Sequence, residues 1–140
     1  MPDLAHPAEG AAPTPELAAR PAGPVDVVLA LGANLGDPDA TLDAAIAALR
    51  RAEELTDVRP SPRARTAPVG GPPGQPDYRN QVVLARTDRS AWELLRLAHR
   101  LEHEHGRRRE VRWGPRTLDV DLIVHGRLRS DHPDLTLPHP

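Results

Sequence analysis

Two aspartates, Asp119 and Asp121, stand inside an otherwise apolar run, Leu118-Asp119-Val120-Asp121-Leu122-Ile123-Val124. Alternate residues of a strand share a face, so this run predicts Leu118, Val120, Leu122 and Val124 on one side and Asp119, Asp121 and Ile123 on the other. The two Cα atoms then lie roughly 6.5–7 Å apart. Like charges that close, flanked by apolar residues, repel unless a cation neutralises them. Hard carboxylate oxygens suit Mg2+, which is commonly held by one or two carboxylates together with substrate phosphates, and such a pair can clamp one ion or bridge two. Just upstream lie Arg107, Arg108, Arg109, Arg112 and Arg116, punctuated by Gly106 and by Gly114-Pro115. The guanidinium fork matches phosphate oxygens, so this neighbourhood can hold a divalent cation and a polyphosphate together. Taken alone, a D-x-D pair also fits a solvated edge strand, and Arg107 to Arg109 also fit a basic loop without function. Arg116, three residues before Asp119, is the strongest phosphate ligand of the set.

A second group lies in Thr66-Ala67-Pro68-Val69-Gly70-Gly71-Pro72-Pro73-Gly74-Gln75-Pro76-Asp77-Tyr78-Arg79-Asn80. A Gly/Pro loop of this length is uncommon in a small domain unless it is used. Tyr78 offers a ring for stacking and Asn80 an amide that both donates and accepts toward a heterocycle, although a tyrosine at a strand entrance also serves plain packing. A third pattern, His99-Arg100-Leu101-Glu102-His103, matches the inverted zinc motif H-x-x-E-H and would put two histidines one helical turn apart. It offers no strong third ligand, and a helix rich in histidine produces it by chance.

The elements that must position these residues follow from periodicity. Val27 to Leu31 reads as a buried strand, with Gly32-Ala33-Asn34-Leu35-Gly36 as a turn. Asp37 caps a helix opened by Pro38, with Leu42, Ile46 and Leu49 as its buried stripe, running to about Leu55. Residues 56–66, broken by Pro60 and Pro62, read as a weak edge strand, and Gln81 to Thr87 as a strand. Ser90 and Glu93 form a capping box ahead of a helix with Leu94, Ala98 and Leu101 inward, ending near His105-Gly106. The order strand, helix, strand, strand, helix, strand predicts an α+β fold with helices on a largely antiparallel sheet.

The chain has 140 residues, enough for one ordinary domain. Residues 1–24, rich in Pro and Ala and without periodicity, are expected to form a disordered arm ahead of a domain at 25–140. Arginine carries the positive charge, yet the net charge of −2 gives no global pull toward nucleic acid. With no cysteine there are neither disulfides nor thiolate metal sites. No apolar run is long enough to cross a membrane, and the acidic, Pro-rich start is not a signal peptide, so a cytoplasmic monomer is expected. The aromatic residues are few, Tyr78, Trp92 and Trp113, with no phenylalanine.

The stretch Arg112-Trp113-Gly114-Pro115-Arg116-Thr117-Leu118-Asp119-Val120-Asp121-Leu122-Ile123 resembles the signature of the 6-hydroxymethyl-7,8-dihydropterin pyrophosphokinase family of folate biosynthesis. Support comes, in the family's order, from Leu31 to Gly36, Arg65 to Gly70, Gln75 to Asn80 and Leu137-Pro138-His139, so the resemblance spans roughly residues 26–140. It implies a ferredoxin-like core in an α/β/α sandwich and transfer of the β,γ-pyrophosphoryl group of ATP to the hydroxymethyl oxygen of the dihydropterin, releasing AMP. It places two Mg2+ ions on Asp119 and Asp121, phosphate on Arg116, and Arg107, Arg109 and Trp113 on a mobile catalytic loop. Thr66, Pro68, Val69, Tyr78, Asn80 and Asp119 would line the pterin site. Glu102, Trp113, Arg116, Thr136 and His139 would meet the nucleotide. The chain departs from the pattern in a loop one residue shorter between Gly106 and Trp113, in Ala67 where proline is frequent, and in lacking a phenylalanine to sandwich the pterin opposite Tyr78. Family members also continue past the Pro-His motif, so the domain is expected to be truncated at its C-terminus. The alternative role is a shortened homologue that binds nucleotide or pterin without turnover.

Overall fold

The computed structural model describes residues 11–67, 74, 76–105 and 118–140. Strand β1 (Val25–Ala33) leads through helix α2 (Pro38–Arg51) to β2 (Thr56–Pro60) and β3 (Ala64–Thr66). Strand β4 (Tyr78–Thr87) leads through α3 (Ala91–His105) to β5 (Asp119–His125), and a hairpin of β6 (Ser130–His132) and β7 (Leu135–Leu137) follows. A short helix α1 (Pro15–Ala18) precedes all of these. The main sheet runs β2-β4-β1-β5, with β3 also on β4, and every pairing is antiparallel. This is the split β-α-β arrangement of a ferredoxin-like core, in which each crossover helix packs back on the sheet.

Alternation explains the layering. Val27, Leu29, Leu31 and Ala33 of β1, Val83 and Ala85 of β4, and Val120 and Leu122 of β5 are all buried in one cluster. Leu42, Ala45, Ile46 and Leu49 of α2 and Leu94, Leu97, Ala98 and Leu101 of α3 close over them at the 3- and 4-residue spacing of a helical stripe. The expected caps form as read: Asp37 accepts from the Ala40 amide at 3.1 Å. Glu93 N–H donates to Ser90 Oγ at 3.0 Å while Ser90 N–H donates to Glu93 Oε1 at 2.9 Å. On the opposite face of the sheet Val82 and Leu84 are exposed.

Three expectations need correction. Helix α2 stops at Arg51 rather than Leu55, because Ala52 turns extended, its N–H donating to Leu49 O, and Leu55 reaches the core from a turn instead. The strict alternation in β5 holds only to Leu122. A bulge pairs Leu29 with Leu122 but Val28 with Val124, so Ile123 is the extra residue, and His125 takes the buried position expected of Val124. His125 Nε2 meets Arg89 O at 2.9 Å, which satisfies a polar ring inside the core. Residues 11–24, expected to be disordered, are ordered. Thr14 caps α1 by accepting from Leu17 N–H, Pro15 opens it, and Leu17 is fully buried against the core.

Candidate active site

Sheet register brings the polar residues of three strands into one area. Across β1, Asp119 stands opposite Gly32 and Asp121 opposite Ala30, while on the other side Asn80 of β4 also pairs with Gly32. Residues directly opposite in a ladder share a face, so Asn80, Gly32 and Asp119 form one row across the sheet. Asp119 and Asp121 are both exposed and project to the side away from the helices, while Val120 between them is buried. The period-two reading of the carboxylates is thus realised.

A cleft of about 330 Å3 opens on this row, lined by Ala30, Gly32, Thr66, Tyr78, Asn80, Asp119 and Asp121 among others. Its floor is open because Gly32 has no side chain: a Cβ there would stand 3.2 Å from Asn80 Oδ1 and 3.9 Å from Tyr78 Cδ1. Asn80 Nδ2 donates to Thr66 Oγ1 at 2.6 Å, which turns its Oδ1 toward the space above Gly32. Strand β3 supplies this contact, since its register sets Thr66 opposite Tyr78. The result is a hydrogen-bond acceptor beside an aromatic ring, suited to a flat heterocycle carrying N–H groups.

A second cleft, of about 390 Å3, opens on the other side of the carboxylates. Leu95, His99 and Glu102 of α3 form one wall, residues 133–136 of the hairpin another, and Val120, Asp121 and Leu122 the base, with His139 at the mouth. Asp121 borders both clefts. The bulge in β5 has a part in this: Ile123 O accepts from His139 N–H at 2.9 Å, which seats the imidazole Nε2 3.9 Å from Asp121 Oδ1. Glu102 does more than line the wall. Its Oε2 accepts from the Val120 N–H at 2.9 Å, pinning β5 between the two aspartates.

The donor set fits magnesium held together with phosphate oxygens. Two exposed carboxylates on one face leave most of a six-oxygen shell to water and ligand. Among the described residues no three His, Asp or Glu side chains gather to hold a metal. The H-x-x-E-H pattern therefore finds no third ligand there, and its Glu102 is engaged with the backbone of β5.

Of the residues singled out from sequence, Thr66, Tyr78, Asn80, Asp119 and Asp121 come together at the first cleft and Glu102, Thr136 and His139 at the second. Pro68, Val69, Arg107, Arg109, Trp113 and Arg116 lie outside the described residues. Sequence reasoning missed Ala30 as a floor residue, which only the register reveals, read Gly32 as part of a turn where the structure has it inside β1, and gave no separate role to Asn34. The latter is buried, with no hydrogen-bond partner for its Oδ1 among the described residues.

Comparison with known proteins places this geometry. The family model for 7,8-dihydro-6-hydroxymethylpterin-pyrophosphokinase matches residues 28–140. The 2-amino-4-hydroxy-6-hydroxymethyldihydropteridine pyrophosphokinase of Bacillus subtilis is 39% identical over 112 residues, 80% of this chain and 66% of that protein. The protein of the same name from Pseudomonas aeruginosa is 40% identical over 113 residues, 81% of this chain and 69% of its own. That from Pseudomonas putida is 36% identical over 109 residues, 78% of this chain and 89% of its own. The chain thus spans about two-thirds of the length of the first two relatives.

Proposed function

Because the chain belongs to the 7,8-dihydro-6-hydroxymethylpterin-pyrophosphokinase family, we propose that it transfers pyrophosphate from ATP to the hydroxymethyl group of 6-hydroxymethyl-7,8-dihydropterin. The observation that carries this reading is the placement of Asp119 and Asp121 between two clefts, with Asp121 bordering both. A group passed between two bound molecules must cross the boundary of their sites, and that boundary is where the carboxylates stand.

In this reading the pterin lies over Gly32, beside Tyr78, with its N–H edge on Asn80 Oδ1. The nucleotide occupies the second cleft, between α3 and the hairpin, near Thr136 and His139. Magnesium, when bound by Asp119 and Asp121 with the phosphates, would supply charge neutralisation along the triphosphate. The hydroxymethyl oxygen forms a bond to the β-phosphorus as the bond from that phosphorus to the α,β-bridging oxygen breaks. The electron pair leaves with AMP, and the hydroxyl proton passes to water. Both clefts border β5, so occupants of the two are set beside each other, which converts an encounter of two molecules into a positioned attack. Arg107, Arg109 and Arg116 supply guanidinium groups for the phosphates, and Trp113 accompanies them. No side chain need act as nucleophile, since positioning and electrostatics carry most phosphoryl transfer. Among the described residues no helix is long and apolar enough to cross a membrane, and we place the reaction in the cytoplasm, carried out by a monomer.

The test is AMP formation from ATP and the dihydropterin in the presence of Mg2+. Asp119→Ala and Asp121→Ala should each remove turnover while leaving the fold intact by circular dichroism. Near-normal rates in both would sink the assignment. A protein that binds both ligands yet forms no AMP would establish the non-catalytic alternative.

A further inference from the structure

Residues 12–20 lie ahead of the matched span of 28–140, and nothing in the reaction calls for them. Yet they are built into the fold at three points. Leu17 is fully buried where α1 packs on α3. Arg20 makes a two-pronged pair with Glu93 in the first turn of α3, Nε to Oε1 at 3.0 Å and Nη2 to Oε2 at 2.8 Å. Ala12 O lies 2.8 Å from His132 Nε2 at the end of β6. The His132 ring is held in turn: its Nδ1 accepts from the Asp134 N–H at 3.0 Å, which makes Nε2 the donor to Ala12, and its edge meets Trp92 of α3 at 5.2 Å between centroids.

The two elements that this segment joins are the two walls of the second cleft. Helix α3 contributes Leu95, His99 and Glu102, the turn after His132 contributes Pro133 and Asp134, and β7 contributes Leu135 and Thr136. We infer that residues 12–20 are a strap that sets the spacing of those walls, with Leu17 and His132 as positioning residues for the ligand of the second cleft. Taking that ligand to be the nucleotide rests on the reading under Proposed function. The strap holds α3 at one end and the hairpin at the other, and none of its residues lines the cleft. Losing it lets the hairpin drift from α3 without touching the sheet row that carries Asn80, Gly32 and Asp119.

The experiment compares the full chain with Leu17→Ala and with Arg20→Ala, which releases the strap from α3 while leaving the hairpin's own bonds, the Asp134 N–H to His132 Nδ1 included, in place. Amide hydrogen exchange is followed over residues 130–137, and dissociation constants are measured separately for Mg-ATP and for the dihydropterin. The strap predicts faster exchange in the hairpin and about a fivefold or greater weakening of Mg-ATP, of the size usual for coupled sites, with dihydropterin binding changed less than about twofold. Unchanged exchange in the hairpin overturns the strap whatever the ligands do. Equal weakening of both ligands also overturns it, since general loosening of the fold would do that. Faster exchange in a protein whose wild type binds neither ligand keeps the strap and defeats the pyrophosphokinase reading instead. Should Leu17→Ala fail to fold, Arg20→Ala yields each of these outcomes alone.

Discussion

Gly32→Ala tests the first cleft with a single methyl group. Gly32 lies in the middle of the sheet between Asn80 and Asp119, outside the set of glycines with positive φ, so alanine meets no backbone strain there. Replacing glycine where the backbone allows it stabilises a fold by roughly 0.4–1 kcal/mol through the unfolded chain. Against this, the new Cβ stands 3.2 Å from Asn80 Oδ1, tighter than ordinary contact, so the amide must yield by a few tenths of an ångström. Weakening the Asn80–Thr66 hydrogen bond costs about 0.5–1.5 kcal/mol. The two effects nearly cancel, and the melting temperature should hardly move. Binding is different, because the methyl occupies the floor on which the heterocycle would rest. Overpacking of this kind costs ~1–3 kcal/mol, which at 1.4 kcal/mol per tenfold is a loss of about 5- to 150-fold in dihydropterin affinity. Mg-ATP affinity should be unchanged, since Gly32 does not line the second cleft. Calorimetric titration with each ligand reads both numbers. Wild-type dihydropterin affinity in a folded Gly32→Ala protein would refute the placement of the pterin, and a loss confined to Mg-ATP would show the two sites exchanged.

Two further predictions concern the supports of the site. Glu102→Ala strips the Val120 N–H of its carboxylate acceptor, which should destabilise the fold by ~1–3 kcal/mol and lower turnover, while Glu102→Gln recovers most of both; a urea midpoint equal to wild type for Glu102→Ala would show that β5 needs no such pin. Arg20, chiefly through its side-chain hydrogen bonds, together with the Ser90 amide, holds the Glu93 carboxyl well below the usual carboxylate range, at about 2. A depressed carboxyl stabilises the fold fully above its unfolded pKa, and that contribution is lost as pH falls from about 4.5 toward 2. Arg20 is exposed, so solvent screening keeps its share of this contribution small. Arg20→Ala should therefore be less stable than wild type at pH 6, and the gap should narrow steadily below about pH 4.5; urea midpoints equally far apart at pH 6 and pH 2.5 would contradict the assignment.

What could be read from sequence and what could not divides along the range of the interaction. The face shared by Asp119 and Asp121, the stripes of α2 and α3, and the Ser90–Glu93 box depend on neighbours within four residues, and each formed as its spacing implied. The bulge at Ile123 carries no glycine or proline to announce it, because it arises from how β5 meets β1 about 95 residues away in sequence. That Glu102, besides lining the second cleft, holds a backbone amide 18 residues on is invisible to any side-chain pattern. The arm misled for a different reason. Its proline content outweighed Thr14-Pro15-Glu16-Leu17, a complete helix start in four residues, and a helix that short is stable only if a groove receives Leu17. That groove belongs to α3 and is a tertiary fact.

The same division bears on how the chemistry is arranged. The first cleft rests on regular structure: the sheet row of Asn80, Gly32 and Asp119 sits in paired strands, and the aspartates leave a strand whose intervening residue is buried and whose amide is held by Glu102. Placement errors of an ångström are costly in an in-line displacement, and regular β structure tolerates few of them. The second cleft has no comparable lattice, for its hairpin is a separate two-stranded sheet. Two strands alone are marginally stable, so such a wall needs support from outside itself. His139 N–H on the bulged Ile123 carbonyl ties the chain beyond it to β5, and His132 on Ala12 ties its near end to the strap. The geometry of the second cleft is therefore set by long-range contacts where that of the first is set by the sheet. Substitutions remote from both clefts should consequently reach the second cleft first.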